Sequence, residues 1–171
     1  MLTLVGDVDR EPIEGHGISI NPCFLRPKSR GFARLHCADP TDSMIFESGA
    51  LSHRDDVDTL IRAVKLACKI IRAPAMAALI SEELRPSAKE DISDDESEAH
   101  IRSHAKTVYH PVGTCRMGSD KQAVVDTKLR VNGVKGVRIC DASIMPTIVS
   151  GNTNAPTIMI AERCAEFILM N

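Results

Sequence analysis

The sequence predicts an α+β fold, in which short strands and helices occupy separate stretches of the chain. Three observations carry this expectation. Phe32-Ala33-Arg34-Leu35-His36-Cys37 alternates apolar and polar, the period of a half-buried strand, and the segment before it is also extended in character. Val57, Leu60, Ile61, Val64, Ala67, Cys68 and Ile71 recur at spacings of three and four, which places them on one helix face. Residues 109–154 are dense in polar groups on Gly- and Pro-punctuated backbone, as loops and element ends are.

Composition limits the alternatives. A chain of 171 residues with 43% apolar content can build a core and is not a disordered segment. Aromatic content is 3% and the net charge is −2, so neither a stacking platform nor a basic footprint for nucleic acid is present. No apolar run approaches the roughly 18 residues of a membrane-spanning helix. The start, Met1-Leu2-Thr3-Leu4-Val5 followed by Gly6-Asp7, lacks the basic and long apolar regions of a signal peptide. Six widely separated cysteines without a Cys-x-x-Cys pair read as reduced, buried or partly buried thiols.

In chain order, residues 1–15 read as a polar lead-in without a period. Ile18–Asn21 and Cys23–Leu25 form one strand interrupted by Pro22, which has no amide to give a ladder. The turn Arg26–Gly31 then connects it to the strand at 32–37, predicting an antiparallel pair. Met44-Ile45-Phe46 is a candidate third strand. The helix over 57–71 takes Asp55 or Asp56 as its cap and stops before Pro74. Residues 81–98 are acidic and read as a solvated boundary. Ser93-Asp94-Asp95-Glu96 matches a capping box and starts a short helix over about 94–105. Strand character returns at 123–126, 129–131 and 137–140, with Asn132-Gly133 as a tight turn. A final helix runs from about Pro156 to Met170.

Most histidines here have nothing around them to suggest chemistry, and His16, His36, His53, His100 and His104 read as structural. His110 differs, because Pro111 biases its backbone to an extended form and Gly113 allows close approach of another chain segment. A histidine held this way suits acid–base work. His110, Cys115 and Asp126 do not have zinc spacing, Ser143 and Ser150 lack a nucleophile elbow, and Gly15-His16-Gly17 is not a dinucleotide loop. Gly151-Asn152-Thr153-Asn154 precedes a helix, where free amides and asparagine side chains can either meet a ligand oxygen or simply cap.

The order of motifs narrows this further. Tyr109-His110-Pro111-Val112-Gly113-Thr114 with Met117-Gly118, then Val125-Asp126, Leu129-Arg130-Val131 with Gly133, Val137-Arg138, Asp141-Ala142-Ser143, Met145-Pro146, and Gly151-Asn152-Thr153-Asn154 followed by Ala155–Glu162 resemble the carboxy-terminal portion of the glucose–methanol–choline (GMC) oxidoreductases. His16-Gly17, Leu25–Gly31 and Ala38-Asp39-Pro40 resemble the same family's substrate-domain segment, in the choline dehydrogenase and alcohol dehydrogenase branch.

The resemblance implies an FAD-dependent oxidoreductase acting on CH–OH groups of alcohols. It implies that residues 1–105 are part of an antiparallel-sheet substrate lobe, and that 106–171 are the returning carboxy-terminal piece of an FAD-binding α/β lobe. His110 is then the base and Asn152 the residue that hydrogen-bonds the alcohol oxygen. Asp141 and Ala142 face the ribityl and pyrophosphate part of FAD, and Thr153 and Asn154 line its ring. The family's amino-terminal Rossmann portion with its glycine fingerprint has no counterpart here, so an amino-terminal FAD-binding portion is the expected partner. On this reading the chain alone is inactive, binds no flavin stably, and is partly disordered or oligomeric. The alternative is a non-catalytic remnant or one half of a split protein. The expected location is the cytoplasm or a membrane surface.

Overall fold

A computed structural model describes residues 2–4, 15–86 and 91–170. Five strands and four helices are present among them. In chain order they are β1 (Leu2–Leu4), β2 (Cys23–Phe24), β3 (Phe32–Arg34), β4 (Ile45–Glu47), α1 (Arg54–Ile71), α2 (Pro74–Ala77), α3 (Asp94–His104), β5 (Ala105–Thr107) and α4 (Asn154–Leu169). They divide between two compact units. One comprises Leu2–Gly31 and Ser48–Val108, and the other Phe32–Glu47 and Tyr109–Asn171.

The first unit is built on α1 and α3. Val57, Leu60, Ile61, Val64 and Cys68 of α1 are buried against Ile92 and Ile101, with Phe24, Leu51 and Ala105 at the margin. Burying each such aliphatic side chain contributes about 1.5–3 kcal/mol, so this face, and not helix propensity, holds α1 in place. Its cap differs from the expected aspartates. His53 occupies the N-cap position, and its Nδ1 accepts the Asp55 amide at 3.2 Å. Asp55 and Asp56 stand in the first turn, where the helix dipole favours them.

Asp56 does more than favour the dipole. It is fully buried and accepts the Lys28 amide at 2.9 Å, the Ser29 amide at 2.7 Å and the Ser29 hydroxyl at 2.5 Å. One carboxylate thereby fixes the turn at 26–31. Burial pushes this carboxyl up, but the Ser29 hydroxyl and the two amides together hold it below its ordinary value of 3.8. Asp56→Ala leaves three part-buried hydrogen bonds unmade and is expected to cost about 2–4 kcal/mol, read as a lowered urea midpoint. Because the folded carboxyl is depressed, its contribution is present above the ordinary carboxylate range. It is lost as pH falls below about 4. The gap between wild type and Asp56→Ala therefore narrows in acid, and a constant gap down to about pH 2 would contradict the assignment.

Two further expectations change here. β2 does not pair with the strand at 32–37. It pairs antiparallel with β1, which also pairs with β5, giving the order β2-β1-β5. β3 pairs instead with β4, matching Arg34 to Ile45 and Phe32 to Glu47. The acidic stretch is also less solvated than its charge implies. Glu83 takes a forked ion pair from Arg72 just after α1, both contacts at 2.7 Å, and Ile92 is buried. The capping box at Ser93 and Glu96 is present, and α3 follows as expected. Residues 5–14 of the predicted lead-in and 87–90 of the acidic stretch lie outside the described residues.

The second unit contains the β3–β4 pair, a long run of turns and α4. Val125, Leu129, Ile144, Met145, Ile160 and Cys164 form its core. The strands predicted at 123–126, 129–131 and 137–140 are only isolated bridges, Val125 with Val131 and Arg130 with Arg138. The reason is local competition for the backbone. Asp126 Oδ1 accepts the amides of Lys128 and Arg130, and Leu129 adopts φ +65°, so no ladder can propagate. The Asn132-Gly133 turn is present, with Gly133 at φ +80°. The final helix starts at Asn154, two residues before Pro156, because a proline within the first turn removes an amide that has no intrahelical partner.

Helix α4 buries Ile160 and Cys164 but leaves Ile158, Met159, Ile168, Leu169 and Met170 exposed, Leu169 at 86%. An apolar face of this kind promotes association. The chain is expected to elute as more than a monomer in size-exclusion chromatography with light scattering, and Ile168→Glu with Leu169→Glu should shift it toward the monomer. A monodisperse wild-type monomer would contradict this. All six cysteines are free, and Cys23 and Cys37 are exposed, unlike the buried or partly buried thiols expected. No described helix is long and apolar enough to cross a membrane.

Candidate active site

The segment after His110 is pinned by backbone bonds to the segment after Asp141. Cys115 donates to the Ser143 carbonyl at 3.0 Å and Met117 to the Ile144 carbonyl at 2.8 Å. Gly113 sits at φ +91°, and a Cβ there would meet the Met145 carbonyl oxygen at 3.4 Å. The left-handed backbone explains the glycine, since the added Cβ would make only an ordinary van der Waals contact. Tyr109 is itself left-handed at φ +60°, turning the chain just before His110-Pro111. Backbone geometry thus fixes where the His110 ring stands.

The ring's partner lies 43 positions away. His110 Nδ1 is 2.8 Å from Thr153 Oγ1, and the Thr153 amide donates toward the same nitrogen at 3.4 Å. Thr153 is buried at 7% exposure, whereas His110 is half-buried. Thr153 also holds the N-cap position of α4, yet its side chain makes no capping bond. Its carbonyl accepts both the Thr157 amide at 3.0 Å and the Thr157 hydroxyl at 2.7 Å.

The other predicted residues are tied to this pair to different degrees. Asn152 and Asn154 flank Thr153, and both are exposed. Asp141 and Ala142 open the short 3-10 turn Ala142–Ile144, and Asp141 Oδ1 accepts the Ser143 amide at 2.7 Å. His110 and Thr153 are therefore joined directly and Asn152 and Asn154 adjoin Thr153 in sequence, whereas the bonds from Cys115 and Met117 reach Ser143 and Ile144, the residues after Asp141-Ala142. The Thr153–His110 bond was not legible in the sequence, since nothing in a Gly-Asn-Thr-Asn run indicates which hydroxyl turns toward a distant ring.

His36, His53, His100 and His104 keep local partners. His36 Nδ1 meets Asp42 Oδ2 at 2.7 Å, and Cys37 Sγ lies 3.3 Å from the same oxygen. This exposed ion pair accounts for the grouping of His36, Cys37 and Asp42. The His100 and His104 rings stack with centroids 4.4 Å apart. A groove of about 760 Å³ in the second unit runs past Arg130, Val137, Cys140 and Ile168, none of them in the predicted set. Burial pushes the Cys140 thiol up, which leaves it a weak nucleophile at neutral pH.

The half-buried His110 is thus hydrogen-bonded to Thr153, between two exposed asparagines at the start of α4. The chain belongs to the GMC oxidoreductase family: the model of that family's carboxy-terminal domain matches residues 27–161. It is 47% identical over 167 residues to the alcohol dehydrogenase [acceptor] of Pseudomonas putida, covering 98% of this chain and 30% of that protein. It is 40% identical over 156 residues to the oxygen-dependent choline dehydrogenase of Cronobacter sakazakii, covering 91% of this chain and 28% of that one. Pyridoxine 4-oxidase from Mesorbium loti superposes with a TM-score of 0.80 at 32% identity, over 86% of this chain and 28% of that structure. An FAD-dependent oxidoreductase from Chaetomium thermophilum superposes at 0.78 and 28% identity, over 84% of this chain and 25% of that one. The chain thus spans about 30% of the length of the curated relatives it matches.

Proposed function

We propose that this chain supplies the catalytic carboxy-terminal portion of an FAD-dependent enzyme that oxidises the CH–OH group of an alcohol, in the manner its alcohol and choline dehydrogenase relatives are named for. The observation that carries the reading is His110, held by Thr153 at 2.8 Å and next in space to the Asn152–Asn154 run at the start of α4. Residues 1–105 belong on this reading to the substrate domain and 106–171 to the FAD-binding domain.

The residues present fit a flavin neighbour. Asn152 and Asn154 project exposed amides beside a helix amino terminus, where the dipole favours electron-rich ligand atoms. Asn154 and Thr153 would line the ring, and Asp141 and Ala142 would meet the ribityl and pyrophosphate part. The flavin, when bound, supplies the acceptor for the hydride equivalent that leaves the alcohol carbon. The chain's own residues handle the proton. His110 takes up the alcohol proton, and Asn152 donates its side-chain amide to the same oxygen as negative charge develops there. A donor and an acceptor aimed at one oxygen lower the barrier most when water is excluded.

The coverage of about 30% of the relatives' length supports a further element: most of the flavin is held by residues outside this chain. The test joins this chain to the remaining, non-overlapping portion of the P. putida relative. A yellow protein whose flavin bleaches anaerobically on adding a primary alcohol is expected, while the chain by itself retains no FAD after gel filtration. A folded, flavin-loaded hybrid that no alcohol bleaches would favour the second reading, a non-catalytic remnant.

A further inference from the structure

We infer that Thr153 is a positioning residue that sets which nitrogen of His110 carries the ring proton. The inference rests on the functional reading above for its consequence, and on geometry alone for its content. Two groups of one residue converge on His110 Nδ1, the hydroxyl at 2.8 Å and the backbone amide at 3.4 Å. An amide N–H can only donate. A ring nitrogen that receives it presents its lone pair, and the hydroxyl satisfies the same lone pair by donating as well. The two contacts agree on one arrangement: Nδ1 accepts, and the neutral ring is protonated on Nε2.

The helix start gives a second, independent indication. An N-cap threonine ordinarily turns its oxygen to an amide of the first turn, a bond that contributes about 1 kcal/mol. Thr153 occupies that position and makes no such bond. Its hydroxyl is directed at the histidine instead, from a residue only 7% exposed. The 2.8 Å contact is of ordinary hydrogen-bond length and anchors the ring, whereas the longer 3.4 Å contact, from an amide that can only donate, is what distinguishes the two tautomers.

The arrangement shapes the proposed chemistry. At rest His110 offers an alcohol oxygen an Nε2–H donor. Before Nε2 can take the alcohol proton, the ring must lose its Nε2 proton to solvent water and gain one from water on Nδ1. Thr153 Oγ1 then accepts that Nδ1–H by rotating its hydroxyl hydrogen away, with no heavy atom displaced. Only the long amide contact is lost. A serine retains this two-way capacity and a valine, of nearly the same shape, does not.

The experiment uses the full chain labelled with ¹⁵N-histidine, read by long-range ¹H–¹⁵N correlation at a pH where the imidazole is neutral. His110 is assigned by the resonance missing from His110→Gln. In wild type its Nδ1 is expected at the acceptor position and its Nε2 at the protonated position. Thr153→Ser should reproduce this pattern. Thr153→Val should keep the Nε2–H tautomer and shift the ratio further toward it by roughly fivefold, because the amide that can only donate remains while the one group able to accept an Nδ1–H is gone. A wild-type ring protonated on Nδ1, or a Thr153→Val ring that shifts toward Nδ1–H, overturns the inference. Should Thr153→Val not fold, the wild-type pattern and its retention in Thr153→Ser decide. None of these spectra depends on turnover, so a failed catalytic role for His110 would appear separately, as unchanged activity in a His110→Ala holoenzyme.

Discussion

His110→Ala is expected to lower alcohol turnover in the flavin-loaded whole enzyme by about a hundred- to ten-thousandfold, the usual contribution of a positioned acid–base group. The loss should fall on kcat and on kcat/KM alike, because the proton leaves the alcohol only as the transition state forms. The fold should survive. His110 is half-buried, and its side chain contributes the Thr153 contacts and not core packing. Freed from the ring, Thr153 can turn its hydroxyl to the first turn of α4, which offsets part of the change. Anaerobic stopped-flow measurement of flavin bleaching separates the outcomes. Bound flavin with slow bleaching is expected, and bleaching within about twofold of wild type would remove His110 from the mechanism.

Gly49→Ala should have the largest effect on folding. Gly49 adopts φ +60°, and a Cβ built there would lie 2.0 Å from the Arg30 carbonyl oxygen and 2.7 Å from its carbon. The obstacle is backbone, so no side-chain rotation can relieve it. The turn fixed by Asp56 would have to move, and left-handed strain is added to the clash. A loss of about 3 kcal/mol or more is expected, seen as a lowered denaturation midpoint or insoluble product. Gly133→Ala is the matched control. It has φ +80° but open space within 4 Å, so it should cost only about 1 kcal/mol. Equal effects at the two positions would refute the steric account.

Features set by neighbours in sequence were legible, and those set by distant pairing were not. The α1 face, the Ser93 capping box, the Asn132-Gly133 turn and the need for glycine at 113 all follow from a few adjacent residues. Strand partners do not. β1 joins β5 by pairing Leu2 with Thr107, and a three-residue strand carries too little pattern to choose among partners. The His53 cap was hidden because histidine is an uncommon cap and two aspartates stood beside it. The segments at 123–140 have strand composition, but Asp126 diverts the amides that a ladder would use. For the candidate site, the motif order named His110 and Asn152 as candidates, whereas the direction of the Thr153 hydroxyl depended on packing over 43 positions.

The close contact at Gly49 has one more consequence. The chain leaves the α1–α3 unit at Gly31 and re-enters it at Ser48, and Gly49 rests against Arg30 and Gly31. Exit and entry are therefore the same place. To the helical unit, residues 32–47 are an excursion with closed ends. Their length and content can drift, or be exchanged for another hairpin, without reshaping the framework they depart from. What must persist is the clasp itself: a residue without a side chain at 49, and the carboxylate of Asp56 gripping the turn beneath it.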